Sequence, residues 1–215
     1  MYFTYNKLFL NMGKLFVISA PSGTGKTSLI KSLLEDPMSS NTKLGISCTT
    51  REKRPKEKDG ISYFFISEEE FKKRVNNKNF LEYAEVFGNL YGTPKDWVLS
   101  ILAKDENVIL ELDIQGALQV KETFPNTQTI FIIPPSYEDL TKRLEQRAQD
   151  STEEIQRRLN EARKEITIGK DFDQIIVNNN FDDALGDLKK FIFLDEGPSK
   201  KRSEANKNSL NLLLD

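Results

Sequence analysis

The period of the hydrophobic positions changes several times along the chain, and each change marks a new element. "KLFVIS", Lys14 to Ser19, is a short unbroken apolar run, which predicts a buried strand. A glycine-rich stretch follows. Leu29, Ile30, Leu33 and Leu34 then recur at helical spacing until Pro37 closes the helix. Between Lys43 and Thr93 the texture shifts, and "LGISCTT", "ISYFFIS" and "FLEYAEVFGNLYGT" predict strands separated by a charged loop and one short helix. That helix opens at Ser67 with Glu70 three residues on, the capping-box spacing, and buries Phe71 and Val75. Thr93 followed by Pro94 predicts another helix, with proline at its first position.

From Asn107 the pattern alternates. "NVILELD", "TQTIFIIPP" and "QIIVNN" are apolar runs of strand length. Between and after them lie helical segments: Gln115–Thr123, a stretch capped by Ser136 that carries Leu140 and Leu144, a charged run from about Glu153 to Gly169, and "FDDALGDLKKFIF". Alternation of this kind predicts an α/β fold, a parallel sheet covered by helices, with the 43–100 region as a small inserted lobe. The segment after Leu194, rich in Lys, Ser and Asn, is expected to be mobile apart from its final leucines.

Composition narrows the chemistry. With 30% charged and 38% hydrophobic residues in 215, the chain reads as an ordinary folded protein, and a net charge of −2 lacks the basic excess of a nucleic-acid coat. There is no histidine, which excludes Ser-His-Asp and Cys-His catalysis and every His-ligated metal site. The sole cysteine, Cys48, has no internal partner, so a reducing compartment, the cytoplasm, is expected. Lys7 and Lys14 interrupt the apolar N-terminus, and cleavage after Ala20 would destroy the glycine-rich loop. Residues 1–12 are therefore read as an extension rather than a signal peptide, with Met1 or Met12 as the start. No apolar run is long enough to span a membrane.

Three stretches carry candidate chemistry. In "SGTGKT", Gly23 and Gly25 allow a tight turn with inward-facing N–H groups, Lys26 follows at the helix start, and Thr27 adds a hydroxyl. A plain glycine turn also yields such a string, but here a strand precedes it and a helix follows, which is the context a phosphate loop requires. Ala20 stands where such loops usually begin with glycine, and suffices if its backbone stays extended. In "SCTTREKRPKEKDGISYFF", the charges describe a solvated loop, yet Arg51, Arg54 and Tyr63 would also form a fork for a phosphate monoester. In "FLEYAEVFGNLYGTPKDW", Glu82 sits among apolar residues, either as an exposed edge-strand carboxylate or as part of a site.

Taken together, "SAPSGTGKTSLI", "SCTTREKRP", "DGISYFFIS", "FLEYAEVFGNLYGT", "LDIQGALQV", "FIIPPS" and "VNNNFDDAL" resemble the guanylate kinase family, in the family's order and over residues 13–193. The resemblance implies a P-loop nucleoside monophosphate kinase that transfers the γ-phosphoryl group of ATP to GMP, and to dGMP, with Mg2+. It implies an ATP site at Ala20, Pro21, Ser22, Gly23, Thr24, Gly25, Lys26 and Thr27, with Thr27 on the metal and Glu111 or Asp113 near it through water. Arg51, Arg54, Tyr63 and Tyr91 match the grip on the GMP phosphate; Ser47, Glu82 and Thr93 match the guanine readers, and Asp113 is a further GMP candidate. Arg143, Arg147 and Arg158 match the arginines of a mobile lid, about 143–158, with Lys26 as the fourth catalytic group. Ala148 replaces a glycine usual in that lid. Residues 194–215 fall outside the resemblance as a C-terminal tail. Two lobes closing over both nucleotides are expected. A related kinase for another small phosphate acceptor, or a non-catalytic binding module, are the alternatives; an eroded loop would mark the latter, and Gly25, Lys26 and Thr27 are intact.

Overall fold

The computed structural model describes residues 12–146 and 151–215. Residues 1–11 of the expected extension, and Arg147 and Ala148 of the expected lid, lie outside the described residues. In chain order the elements are β1 (Leu15–Ser19), α1 (Lys26–Leu34), a 3-10 turn at Pro37–Asn41, β2 (Thr42–Leu44), β3 (Cys48–Thr49), β4 (Phe64–Phe65), α2 (Glu68–Asn76), β5 (Phe80–Val86) and β6 (Asn89–Pro94). Then come α3 (Lys95–Leu102), β7 (Asn107–Glu111), α4 (Ile114–Thr123), β8 (Gln128–Ile133), α5 (Tyr137–Glu145), α6 (Thr152–Gly169), β9 (Gln174–Val177), α7 (Phe181–Phe193) and α8 (Lys200–Leu214).

A five-stranded sheet runs in the order β2-β7-β1-β8-β9. β2 pairs with β7 in parallel from Thr42↔Asn107 to Leu44↔Ile109, and β8 with β9 in parallel from Ile130↔Gln174 to Ile133↔Val177. β1 is buried at all five positions, as its unbroken apolar run requires. A second, four-stranded sheet has the order β4-β3-β6-β5, with β3 antiparallel to β6 and parallel to β4.

The described residues form two compact units. One holds the residues up to Phe16 with Asn41–Leu110 and Gln115–Thr127; the other holds Val17–Ser40, Glu111–Ile114 and those of Gln128–Asp215 that are described. In the first, Cys48, Phe71 and Phe80 make a buried cluster, with the two phenyl rings stacked 4.5 Å apart. In the second, Ile114, Phe131, Ile133, Ile166, Val177 and Leu213 pack together, and Leu140, Leu144 and Ala162 join α5 to α6. The local cap signals hold: Ser67 accepts the N–H of Glu70, and Ser136 that of Asp139.

Four expectations are corrected. "LGISCTT" is not one strand but β2 and β3, in different sheets. "FLEYAEVFGNLYGT" folds back as a hairpin, because Phe87 and Gly88 both take positive φ (50° and 74°), the two-residue turn whose twist suits paired strands. Pro94 is the extended residue before α3 rather than its first turn, at φ −68° and ψ 120°. The C-terminal segment is a 15-residue helix, not a mobile tail.

The physical reason for α8 is a polar inner face that composition does not advertise. Arg202 donates from Nη2 (2.7 Å) and Nε (3.0 Å) to Asp187, which is only 4% exposed, and reaches Asp183 as well. Four residues on, Asn206 donates to the Ile175 carbonyl of β9, and Leu213 completes the apolar cluster while its carbonyl accepts the Tyr137 hydroxyl. Removing one partner of a covered ion pair leaves the other unpaired. We expect Arg202→Ala to lower unfolding free energy in urea by about 2–3 kcal/mol, below the full buried-pair range because Arg202 is partly exposed. Lys201→Ala, at an exposed neighbour, should change it by less than about 0.5 kcal/mol.

Candidate active site

The phosphate loop begins where β1 ends. Gly23 and Gly25 have φ of 94° and 92°, which only glycine adopts without strain, and a Cβ on Gly25 would stand 2.7 Å from the Asn178 amide. Ala20 keeps a negative φ, so its backbone does not require glycine. Gly25 occupies the N-cap of α1 with no side-chain cap, and the first turn contains no acidic residue. The N–H groups that a helix start leaves over are therefore available to an anion.

The loop is tied down by its carbonyls. The Thr24 hydroxyl donates to Pro21 O (2.8 Å), and Asn178 Nδ2 donates to Thr24 O (2.7 Å). Lys26 Nζ donates to Leu112 O at 2.8 Å and lies 3.9 Å from Glu111. Thr27 Oγ1 donates to Glu111 Oε1 at 2.6 Å, so Glu111 reaches the loop hydroxyl despite the extra methylene. A cavity of about 330 Å3 opens over the loop, lined by residues 20–28, Asp113 and Glu165. Of the candidates expected at the acceptor, Asp113 thus lines the loop cavity.

Among the described residues, two arginines meet this loop. Arg143 of α5 donates from Nη2 to Asn178 O (2.8 Å) and approaches Thr24 O, while Arg158 of α6 donates to Glu154 (3.1 Å) and reaches Ser22 Oγ at 3.4 Å. Arg157, beside it, pairs among the described residues with Glu154 and Glu161 on its own helix, as surface charge does. Arg147 lies outside the described residues.

Sequence reasoning missed Asn178 and Glu165. Asn178 stands in "QIIVNN", at the end of a strand where a loop-facing side chain was foreseeable. Glu165 follows Arg158 by seven residues, two helical turns on one face, but in "EEIQRRLNEARKE" it looks like one carboxylate among many. Burial, and then the charge of Asp113, raise its pKa from 4.5 to about 7, against the pull of Lys26. Burial likewise lowers Lys26, while Glu111, Asp113 and Glu165 oppose the fall.

The acceptor candidates lie in the other unit. Glu82 on β5 is 7% exposed and accepts the Thr93 hydroxyl at 2.5 Å, so it is a buried carboxylate and not an exposed edge charge. The Arg51 guanidinium carbon is 5.5 Å from the centre of the Tyr63 ring, and Tyr63 meets Tyr91 edge-on at 5.9 Å. Arg54 contributes its main-chain N–H to Glu57, with an exposed side chain. Ser47 accepts the Phe64 N–H through its carbonyl. Glu57, which sequence reasoning passed over, pairs with Arg51 at 2.7 Å.

Residues 12–195 match the family model described as guanylate kinase. A guanylate kinase of Hahella chejuensis is 54% identical over 178 residues, 82% of this chain and 84% of that one. One of Vibrio parahaemolyticus is 43% identical, covering 95% of this chain and 99% of its own. The crystal structure of guanylate kinase from Anaplasma phagocytophilum superposes with a TM-score of 0.64 at 31% identity, covering 88% of each chain.

The raised Glu165 pKa has a consequence for stability. Between pH 4.5 and about 7 the folded protein holds a proton that the unfolded chain has released, so this group's contribution falls as pH rises and levels off above 7. Glu165→Gln removes the effect. Its melting temperature should match wild type near pH 5 and exceed it progressively toward pH 8; a constant difference across that range would contradict the assignment.

Proposed function

The chain belongs to the guanylate kinase family, and we propose that it carries out the Mg2+-dependent transfer of the γ-phosphoryl group of ATP to GMP, giving ADP and GDP. The observation that carries the acceptor half is Glu82, a carboxylate buried beside the Thr93 hydroxyl. Guanine presents two adjacent donors, N1–H and the N2 amino group, which one carboxylate accepts together. Adenine presents a bare acceptor at N1, leaving the same carboxylate facing a lone pair. A buried polar group built for one partner rejects the mismatch strongly.

The donor half rests on the uncapped start of α1. Its N–H groups and Lys26 receive the β- and γ-phosphates, while Arg143 and Arg158 reach the same loop and neutralise charge that develops on the transferred group. Thr27 Oγ1, Glu111 and Asp113 are hard oxygen donors of the kind magnesium takes, directly or through water, and suit it at this position. When bound, magnesium would offset the negative charge of the phosphates.

No general base is needed, which fits a chain without histidine. The nucleophile is an oxygen of the GMP phosphate, whose second pKa is about 6, so it is ionised at neutral pH. It attacks the terminal phosphorus of ATP, and the bridging oxygen departs with ADP. Arg51, Tyr63 and Tyr91 hold the attacking phosphate, with its two charges met by the guanidinium and the phenols.

A coupled assay for ADP release tests the reading: GMP should support turnover, and AMP, CMP and UMP should not at comparable concentration. Glu82→Gln should raise the KM for GMP by about 10- to 100-fold, the worth of a hydrogen bond to a charged group, and leave the KM for ATP unchanged. Lys26→Ala should abolish turnover while calorimetry still detects GMP binding.

A further inference from the structure

The loop between β3 and β4 carries a carboxylate that the reaction does not use. Glu57 accepts from Arg51 Nη2 through one oxygen (2.7 Å) and from the Arg54 main-chain N–H through the other (2.9 Å). Its own N–H donates back to Arg54 O at 3.0 Å, which closes a turn. Arg51 Nη1 is fixed in addition by Glu52 O at 2.8 Å, and its guanidinium stands against the rings of Tyr63 and Phe65. The side chains of Arg51 and Glu57 are 15% and 19% exposed, so this is not the solvated ion pair that surface loops commonly show.

A free arginine side chain loses much rotamer freedom when it grips a ligand, and an arginine already ordered loses little. Glu57 and Glu52 engage two of the five N–H donors of Arg51 and set the plane of the fork, while its guanidinium also interacts with Tyr91, which the resemblance places in the same phosphate grip. The same carboxylate holds the main chain at Arg54, the second arginine of the acceptor grip. Negative charge beside a phosphate site is a cost in itself, and its presence here points to a gain in order.

We propose that Glu57 is a positioning residue for the acceptor: it pre-orders the Arg51 guanidinium and, by holding the main chain at Arg54, the placement of the second arginine, so that the two side chains meet the phosphate of the nucleoside monophosphate. The proposal rests on the acceptor-site reading above. Glu57 acts through Arg51 and touches the phosphate only by way of it, so its effect is confined to ligands that carry a phosphate.

The test compares Glu57→Ala, Glu57→Gln and Glu52→Ala with wild type, in steady-state kinetics with GMP and ATP each varied and in calorimetry with GMP and with guanosine. Glu57→Ala should raise the KM for GMP and the Kd of GMP about ten-fold or more, the scale set by the freedom Arg51 would regain. The kcat, the KM for ATP and the Kd of guanosine should stay within about two-fold, a pattern that loss of fold does not produce. Glu57→Gln, which keeps one of the two acceptor oxygens, should recover part of the loss, and Glu52→Ala, which keeps the carbonyl, should match wild type. An unchanged KM for GMP in Glu57→Ala, an equal loss of guanosine binding, or a Gln variant as impaired as the Ala variant overturns the proposal. A wild-type protein that binds no GMP overturns the acceptor reading itself.

Discussion

The start of α1 is open to an anion because, among the described residues, no side chain caps it first. Gly25 offers no side-chain oxygen at the N-cap, and no carboxylate stands in the first turn, so the donors that open a helix remain available. Such donors would be lost if the loop folded onto itself. The loop is instead held to its surroundings: Asn178 donates to Thr24 O, Lys26 of the loop donates outward to Leu112 O, and Arg143 donates to Asn178 O while approaching Thr24 O. The positive φ of Gly23 and Gly25 is the backbone condition for this arrangement, and the close approach of the Asn178 amide to Gly25 is its steric counterpart.

Charge is managed by the same logic in both units. Without histidine, the side-chain cations of both candidate sites are lysine and arginine, and carboxylates stand beside them. Glu111 receives the Thr27 hydroxyl and stands 3.9 Å from Lys26, Glu57 holds Arg51, and Glu154 holds Arg158. Glu82 differs, since it is buried and accepts the Thr93 hydroxyl. Glu165 differs again. Its carboxyl is held near neutrality in pKa by burial and by Asp113, so the cavity over the loop already contains a group that resists a second negative charge.

What was legible in the residues was whatever depends on near neighbours. The phosphate loop is one contiguous stretch, and the caps at Ser67 and Ser136 bind an N–H three residues away, so their signals survive in the string itself. Alternation of apolar runs announced the parallel sheet, because strands covered on both faces need no polar positions. The hairpin was hidden because Phe87, a bulky residue, occupies a turn position that asparagine or glycine usually fills. The C-terminal helix was hidden because its inward face is partly polar, and Arg202 reads as a solvated charge until Asp187 is seen beneath it.

The sequence by itself determined the fold class and singled out the glycine-rich loop together with the arginines, tyrosines and the glutamate proposed for the two nucleotide sites. Only the tertiary structure decided which of many carboxylates matter. Glu82 is buried rather than exposed, Glu165 turns toward the loop cavity, and Asn178 crosses 154 residues of chain to hold Thr24. The reason is physical. A hydrogen bond within a turn is dictated by local backbone geometry, whereas a partner far along the chain is chosen by packing, and burial then sets what its charge is worth.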